Sequence, residues 1–165
     1  GLHQPLMGYY FPTSDALFST IVTLLIEDLR KASVEAIERG SRDPKKALQE
    51  YIRAPMQWSK ERPEYASLLT FFYYLASHRS MFKEMNNLIR KTGRERLVLL
   101  LYRYQEAYSF RLKRGWTIEA LATAVQTQIT GAAIHAVTET SNPDETAALC
   151  QATIHALLDS TFVKQ

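Results

Sequence analysis

Long hydrophobic runs, cysteine and glycine are scarce in this sequence, and each shortage removes a class of protein. No uninterrupted apolar stretch reaches the roughly 20 residues that a membrane-spanning helix needs. The N-terminus carries no basic segment followed by an apolar one, so no secretory signal is read there. The single cysteine, Cys150, has no partner for a disulfide within the chain. A reducing, cytoplasmic setting is therefore expected, with Cys150 as a small buried hydrophobe rather than a redox sensor. Six glycines in 165 residues form no phosphate-cradling loop, and no nucleophile-elbow pattern occurs. The four histidines, His3, His78, His135 and His155, are scattered. No Glu-x-x-His pair, zinc-protease motif or cysteine cluster accompanies them. No metal, cofactor or enzymatic activity is expected from such a chain.

The composition that remains is that of a folded domain. Apolar residues make up 46% and charged residues 22%, too apolar and too evenly charged for a disordered chain. The net charge of +3 does not by itself imply nucleic acid. Its distribution is uneven. Between Arg79 and Arg114, ten basic side chains face three acidic ones, a balance of +7. From Thr117 onward, Lys164 alone offsets five acidic residues, a balance of −4. A solvated helix face accounts for the basic stretch.

Everything after Pro12 reads as helix. There is no alternating strand pattern and no Asn-Gly or Asp-Gly hairpin signal, so an all-α fold is expected. The first long helix is expected from Ser14 to Arg39, capped by Thr13 and stopped by Gly40. Phe18, Val22, Leu25, Leu29, Ala32 and Ala36 share one face of it. Asp43-Pro44 starts a second helix, in which Pro55 is expected to introduce a kink. Pro63 starts a third, running to about Ser77. Residues 80–114 read as helix, with Gly93 as a weak point or a break. Leu97, Leu101, Tyr104, Tyr108 and Leu112 form its stripe, and Gly115 ends it. Thr117 caps a helix to about Glu139. Asn142-Pro143-Asp144-Glu145 opens the last one with a cap, a first-position proline and the makings of a capping box.

The last two helices are rich in alanine and apolar over more than one face. Two buried helices of a larger monomer would have the same composition. With so little chain to cover both faces, a homodimer interface is expected, carried by Ala124, Gly131, Ala132, His135, Ala148, Ala152, His155 and Ala156. His135 and His155 would be hydrogen-bonded interface histidines, with a pH-sensitive dimer as the sharper alternative.

The opening is the most specific part of the chain. Gly1-Leu2-His3-Gln4-Pro5-Leu6-Met7-Gly8-Tyr9-Tyr10-Phe11-Pro12-Thr13-Ser14-Asp15-Ala16-Leu17-Phe18 resembles the end of the DNA-binding domain of tetracycline-repressor (TetR-like) transcriptional regulators. Phe11-Pro12-Thr13 and Asp15-Ala16-Leu17-Phe18 carry the likeness, at the start of the long connecting helix. The resemblance implies two regions. Residues 1–12 would be the end of a helix-turn-helix, and residues 13–165 a ligand-binding and dimerisation domain. His3, Gln4 and Pro5 would face base edges in the major groove, with Gln4 able to pair with adenine. Tyr9 and Tyr10 would contact phosphate or pack on Phe11. Ser14 stands where a phosphate-binding lysine is common, and Gly8 where a tyrosine is common. The family's first two helices precede the point where this chain begins. Operator DNA is therefore implied as a partner only together with them.

The resemblance also implies a small hydrophobic or aromatic effector inside the helical body. Met56, Trp58, Leu69, Phe72, Tyr73, Met85, Tyr104 and Tyr108 are the apolar candidates, with Gln105 and Gln128 as polar ones. Each could equally be core. Tyr104 and Tyr108 stand out because buried hydroxyls need partners. A cationic drug, an acyl chain and a flat aromatic acid all suit such walls. The implied activity is that of a bacterial repressor whose operator affinity shifts with ligand. The alternative is a dimeric helical interaction module without DNA binding.

Overall fold

The computed structural model describes residues 13–40, 42–138 and 142–164 of the chain. The DNA-contact candidates His3, Gln4, Pro5, Tyr9 and Tyr10, and the boundary after residue 12, lie outside those residues. Six helices and one two-stranded ribbon make up the described part: α1 Ser14–Arg39, α2 Pro44–Glu61, α3 Pro63–His78, α4 Ser80–Ala107, β1 Phe110–Leu112, α5 Ile118–Thr138, α6 Pro143–Thr161 and β2 Phe162–Lys164.

The helix starts follow local chemistry. The Thr13 hydroxyl accepts from the Ala16 N–H at 3.1 Å. The Asp43 carboxylate accepts from the Lys45 N–H at 2.9 Å, a bond that holds its pKa below the ordinary carboxylate value. Thr117 accepts from Ala120 at 3.1 Å, and Asn142 from Asp144 at 3.0 Å. Each cap supplies a partner to one of the N–H groups that a helix start leaves unpaired. Pro55 sits inside α2 without ending it. Its missing N–H withholds the helical donor from the Tyr51 carbonyl.

The expected stripe of α1 faces inward: Val22, Leu25 and Ala36 are buried, and Phe18, Leu29 and Ala32 pack against the core. The core itself has two parts. One joins α2, the later part of α4, α5 and α6, and includes Leu48, Ile52, Leu101, Leu121 and Ile154. The other joins α1, α3, the start of α4 and Trp58 of α2, and includes Val22, Phe72 and Phe82.

Two expectations are corrected. Gly93 neither breaks nor ends a helix, because α4 runs through it. The helix expected to reach Arg114 stops at Ala107 instead. Ser109 takes a left-handed backbone with φ of 50°, which α-helix cannot continue through. The chain then enters β1, which pairs antiparallel with β2 in the register Phe110↔Lys164, Arg111↔Val163 and Leu112↔Phe162. The Lys113 N–H extends the junction by donating to the Thr161 carbonyl at 2.9 Å. The fold is thus helical with a small ribbon that the local sequence did not announce. A strand this short has no pattern of its own, and its partner lies about fifty residues away.

At Gly40 the end of α1 lies close against the backbone of α2. A Cβ there would stand 2.5 Å from the Ala47 nitrogen and 2.6 Å from its Cα, both backbone atoms that cannot swing aside. Gly40→Ala is expected to destabilise the fold by about 1–3 kcal/mol, the usual cost of forcing extra volume into a packed contact. Urea unfolding followed by circular dichroism measures this, and an unchanged midpoint would mean that α1 and α2 separate freely.

Candidate functional site

A cavity of about 350 Å³ opens in the seam between the two halves of the core. Five helices line it, each with one face. Ile26, Leu29, Arg30 and Ser33 come from α1, and Tyr51, Pro55, Trp58 and Ser59 from α2. Ala66, Leu69, Thr70 and Tyr73 come from α3. The α4 wall is formed around Ile89, Arg90, Gly93, Arg96 and Leu97, and the α5 wall by Gln126, Ile129, Thr130, Ala133, Ile134 and Val137. Steps of three and four residues recur on every wall, as they must when helices turn one side to a common centre. The exposed lining residues Arg30, Leu88 and Thr92 place the mouth between α1 and α4.

Most polar groups of the wall are already matched within their own helices. Ser33 donates to the Leu29 carbonyl at 2.8 Å, Ser59 to Pro55 at 2.9 Å, Thr70 to Ala66 at 3.0 Å and Thr130 to Gln126 at 2.9 Å. Trp58 turns its indole N–H away to the Asp28 carboxylate at 2.8 Å, which Arg62 also holds at 3.0 Å. Its ring is thereby fixed with an apolar edge to the cavity. The Tyr51 hydroxyl donates to the Gly93 carbonyl at 3.4 Å. Burial raises the pKa of Tyr51, and the neighbouring Arg96 guanidinium opposes the shift. Burial likewise raises that of Tyr73, with Arg90 opposing.

Gly93 earns its place by a close approach rather than by flexibility. The Gln126 amide nitrogen donates to the Arg90 carbonyl at 2.8 Å, and a Cβ on Gly93 would stand 2.8 Å from that nitrogen. The amide orientation is set by this bond, and the Gln126 Oε1 is left buried without a donor.

Of the residues proposed from the sequence as ligand contacts, Trp58, Leu69 and Tyr73 line the cavity together. Met56 and Phe72 are buried in the two cores, and Met85 packs on the second. Tyr104 and Tyr108 lie in an aromatic cluster with Phe110 and Phe162, with ring centroids 5.1–5.8 Å apart. The Tyr108 hydroxyl is taken by Asp43 at 3.1 Å. Gln105 follows Tyr104 on α4, and the Gln128 carbonyl receives the Cys150 thiol at 4.0 Å; neither side chain is on the cavity wall. Tyr51, Arg90, Arg96 and Gln126 were not singled out from the sequence. Their signal was present: Ile89, Arg90, Gly93, Arg96 and Leu97 mark one helical face on which arginines flank a glycine.

The residues proposed for a dimer lie on α5 and α6. Gly131, His135, Ala148, Ala152 and Ala156 are exposed, Ala124 and His155 half-buried, and Ala132 is packed into the chain's own core. The His155 Nε2 is 3.0 Å from the Gln49 amide nitrogen of α2. Among the described residues no group of three metal-ligating side chains comes together. No helix among them is long and apolar enough to cross a membrane.

Cys150 is 1% exposed, and burial pushes its thiol up to about 11. Because the thiolate is the reactive form, Cys150 should resist a thiol reagent at pH 8 in the native protein and react fully in urea. Rapid native labelling would show that α6 opens readily.

No family model and no curated protein matches the chain. Solved structures do match it. A TetR transcription regulator from Haloarcula marismortui ATCC 43049 superposes with a TM-score of 0.75 at 19% identity, over 95% of this chain and 83% of that one. A transcriptional regulator from Rhodococcus sp. Rha1 gives 0.76 at 20% identity, over 94% of this chain and 78% of that one. Both are regulators of transcription. The six helices are thus arranged on the TetR-like fold, and that is the fold of this chain.

Proposed function

We propose that the chain is the effector-binding and dimerising body of a ligand-responsive transcription regulator, a repressor whose affinity for operator DNA depends on a small molecule in the cavity. The observation that carries this reading is the cavity itself. A mostly apolar space of about 350 Å³ within a helical body is of the size that small-molecule sites occupy. The likeness to regulators of transcription supports the DNA-binding half of the reading.

The proposed coupling runs through α1. Its middle lines the cavity at Ile26, Leu29, Arg30 and Ser33, and its cap, Thr13, directly follows the segment that resembles the end of a helix-turn-helix. A ligand that fits the cavity better in one tilt of α1 shifts the population toward that tilt. Two recognition helices in a dimer must meet major grooves about 34–36 Å apart, so a small change of tilt is enough to lose the match.

The proposed homodimer uses the outer faces of α5 and α6. Leu149 is 68% exposed there, flanked by the small exposed residues Ala148, Ala152 and Ala156. A Cβ on Gly131 of α5 would meet nothing within 4 Å, so a second backbone has room to approach. Such a face sheds water best against its own copy.

Two measurements test the reading. Trp58 lines the cavity, and the chain's only other tryptophan is Trp116. In a Trp116→Phe background, a bound effector should change the emission of Trp58 and raise the melting temperature, because it binds the folded state alone. A screen of amphipathic small molecules that moves neither would leave an interaction module as the better description. Leu149→Glu should turn a sedimenting dimer into a monomer with unchanged helicity. A variant that stays dimeric would move the interface elsewhere.

A further inference from the structure

The cavity wall leaves two arginines without an ion-pair partner among the described residues, and one buried amide oxygen, Gln126 Oε1, without a donor. The wall holds three arginines, Arg30, Arg90 and Arg96, and no carboxylate. Arg30 is paired with Glu27, through a bond from its Nε at 2.8 Å and a second, shorter contact from Nη2. Glu27 is the acidic group whose charge also reaches Arg96, and Arg30 already engages both of its oxygens. Arg90 and Arg96 make no ion pair within 4.0 Å among the described residues, and the hydrogen-bonding contact of Arg96 is with the neutral Tyr51 hydroxyl. Both are half-buried, so water compensates them only in part. The Tyr73 hydroxyl beside Arg90 has no hydrogen-bond partner among the described residues either. The seryl and threonyl hydroxyls of the wall, by contrast, bond to their own helices.

An aqueous mouth does not explain this pattern. Guanidinium groups placed for solvation alone would project from the exposed face of α4, where Lys91 and Glu95 stand. Arg90 and Arg96 instead share the inward face with Ile89, Gly93 and Leu97. Six residues separate them, so their backbones lie about 9 Å apart along the helix. Two long side chains can converge on one small group from that spacing. A planar guanidinium matches a carboxylate through paired N–H donors, and a partly desolvated site strengthens the match. The other helices line the cavity with Leu29, Trp58, Leu69 and Ile134, which offer only apolar surface to a ligand.

We infer that the effector is an amphipathic carboxylate, with its head held by Arg90 and Arg96 and its apolar body lying toward Trp58 and Leu69. This inference rests on the reading of the cavity as an effector site. A cationic effector would meet two unpaired like charges. A neutral one would leave both guanidiniums partly dehydrated with no opposite charge beside them.

The test compares heads on a constant body. Decanoate, decanol and decyltrimethylammonium are titrated below their critical micelle concentrations against the full chain in the Trp116→Phe background. Trp58 emission and melting temperature are the readouts. Naphthoate and naphthamide repeat the comparison with a flat body. The anion of each set is expected to bind at least tenfold tighter than its neutral counterpart, and the ammonium compound weakest. In an Arg90→Gln/Arg96→Gln variant, which keeps good helix formers at both positions, the anion should lose about tenfold or more while the alcohol is unaffected. Neutral and anionic ligands binding equally, or an anion indifferent to the double substitution, would overturn the inference and leave the effector cavity standing. Failure of every compound, flat and extended, to bind would overturn both.

Discussion

The fold depends on the burial of α2. This helix touches each of the other five, and eight of its 18 residues are buried. Ala47, Leu48, Ile52 and Met56 are at most 1% exposed and anchor one half of the core. Trp58, two residues beyond Met56 and so on another side of the helix, belongs to the other half. Full burial of a large apolar side chain contributes about 1.5–3 kcal/mol. A helix that carries several of them in both directions sets where its neighbours can go. The polar ends of α2 are secured separately, by the Asp43 cap at one end and by a Lys60–Asp144 contact of 2.7 Å near the other.

The cavity is a consequence of that arrangement. Two cores grow from one central helix and are not continuous with each other, so a seam remains between α1 and α4. Packed interiors normally close such spaces, because every unfilled wall forfeits dispersion contacts. Here three features hold it open. Pro55 removes one bond from the helix at the cavity wall. Gly93 lets the Gln126 side chain lie against α4 where any larger residue would displace it. Partly buried arginines line the space, and they cannot be collapsed against each other. The cost of the cavity is borne in the same place where a ligand would recover it.

Much of the helical framework was legible because it rests on short-range chemistry. Thr13, Asp43, Thr117 and Asn142 each cap a helix by a hydrogen bond to a residue two or three positions away. The inward stripe of α1 follows from periodicity alone. The candidate site was legible only in part. Trp58, Leu69 and Tyr73 could be named as large adaptable side chains in the helical body. Met56 and Phe72 fit the same description, and only packing separates a wall residue from a core residue. Tyr104 and Tyr108 had every local mark of a ligand contact. They are occupied by Phe110, Phe162 and Asp43, partners that no local pattern connects to them. Arg90 and Arg96 were passed over as members of a basic, solvated stretch, since charge count along the chain does not tell which arginines face inward.

By itself the sequence determined the number of helices and nearly all of their starts. Those properties depend on caps, prolines and periodic apolar residues that act over one or two turns. The tertiary structure decided where α4 ends, because the ribbon of Phe110–Leu112 with Phe162–Lys164 exists only when the two segments meet. It also decided which arginines remain unpaired in the cavity. Neither can be read along the chain, because hydrogen-bond and charge partners remote in sequence are chosen by the packing of helices around α2.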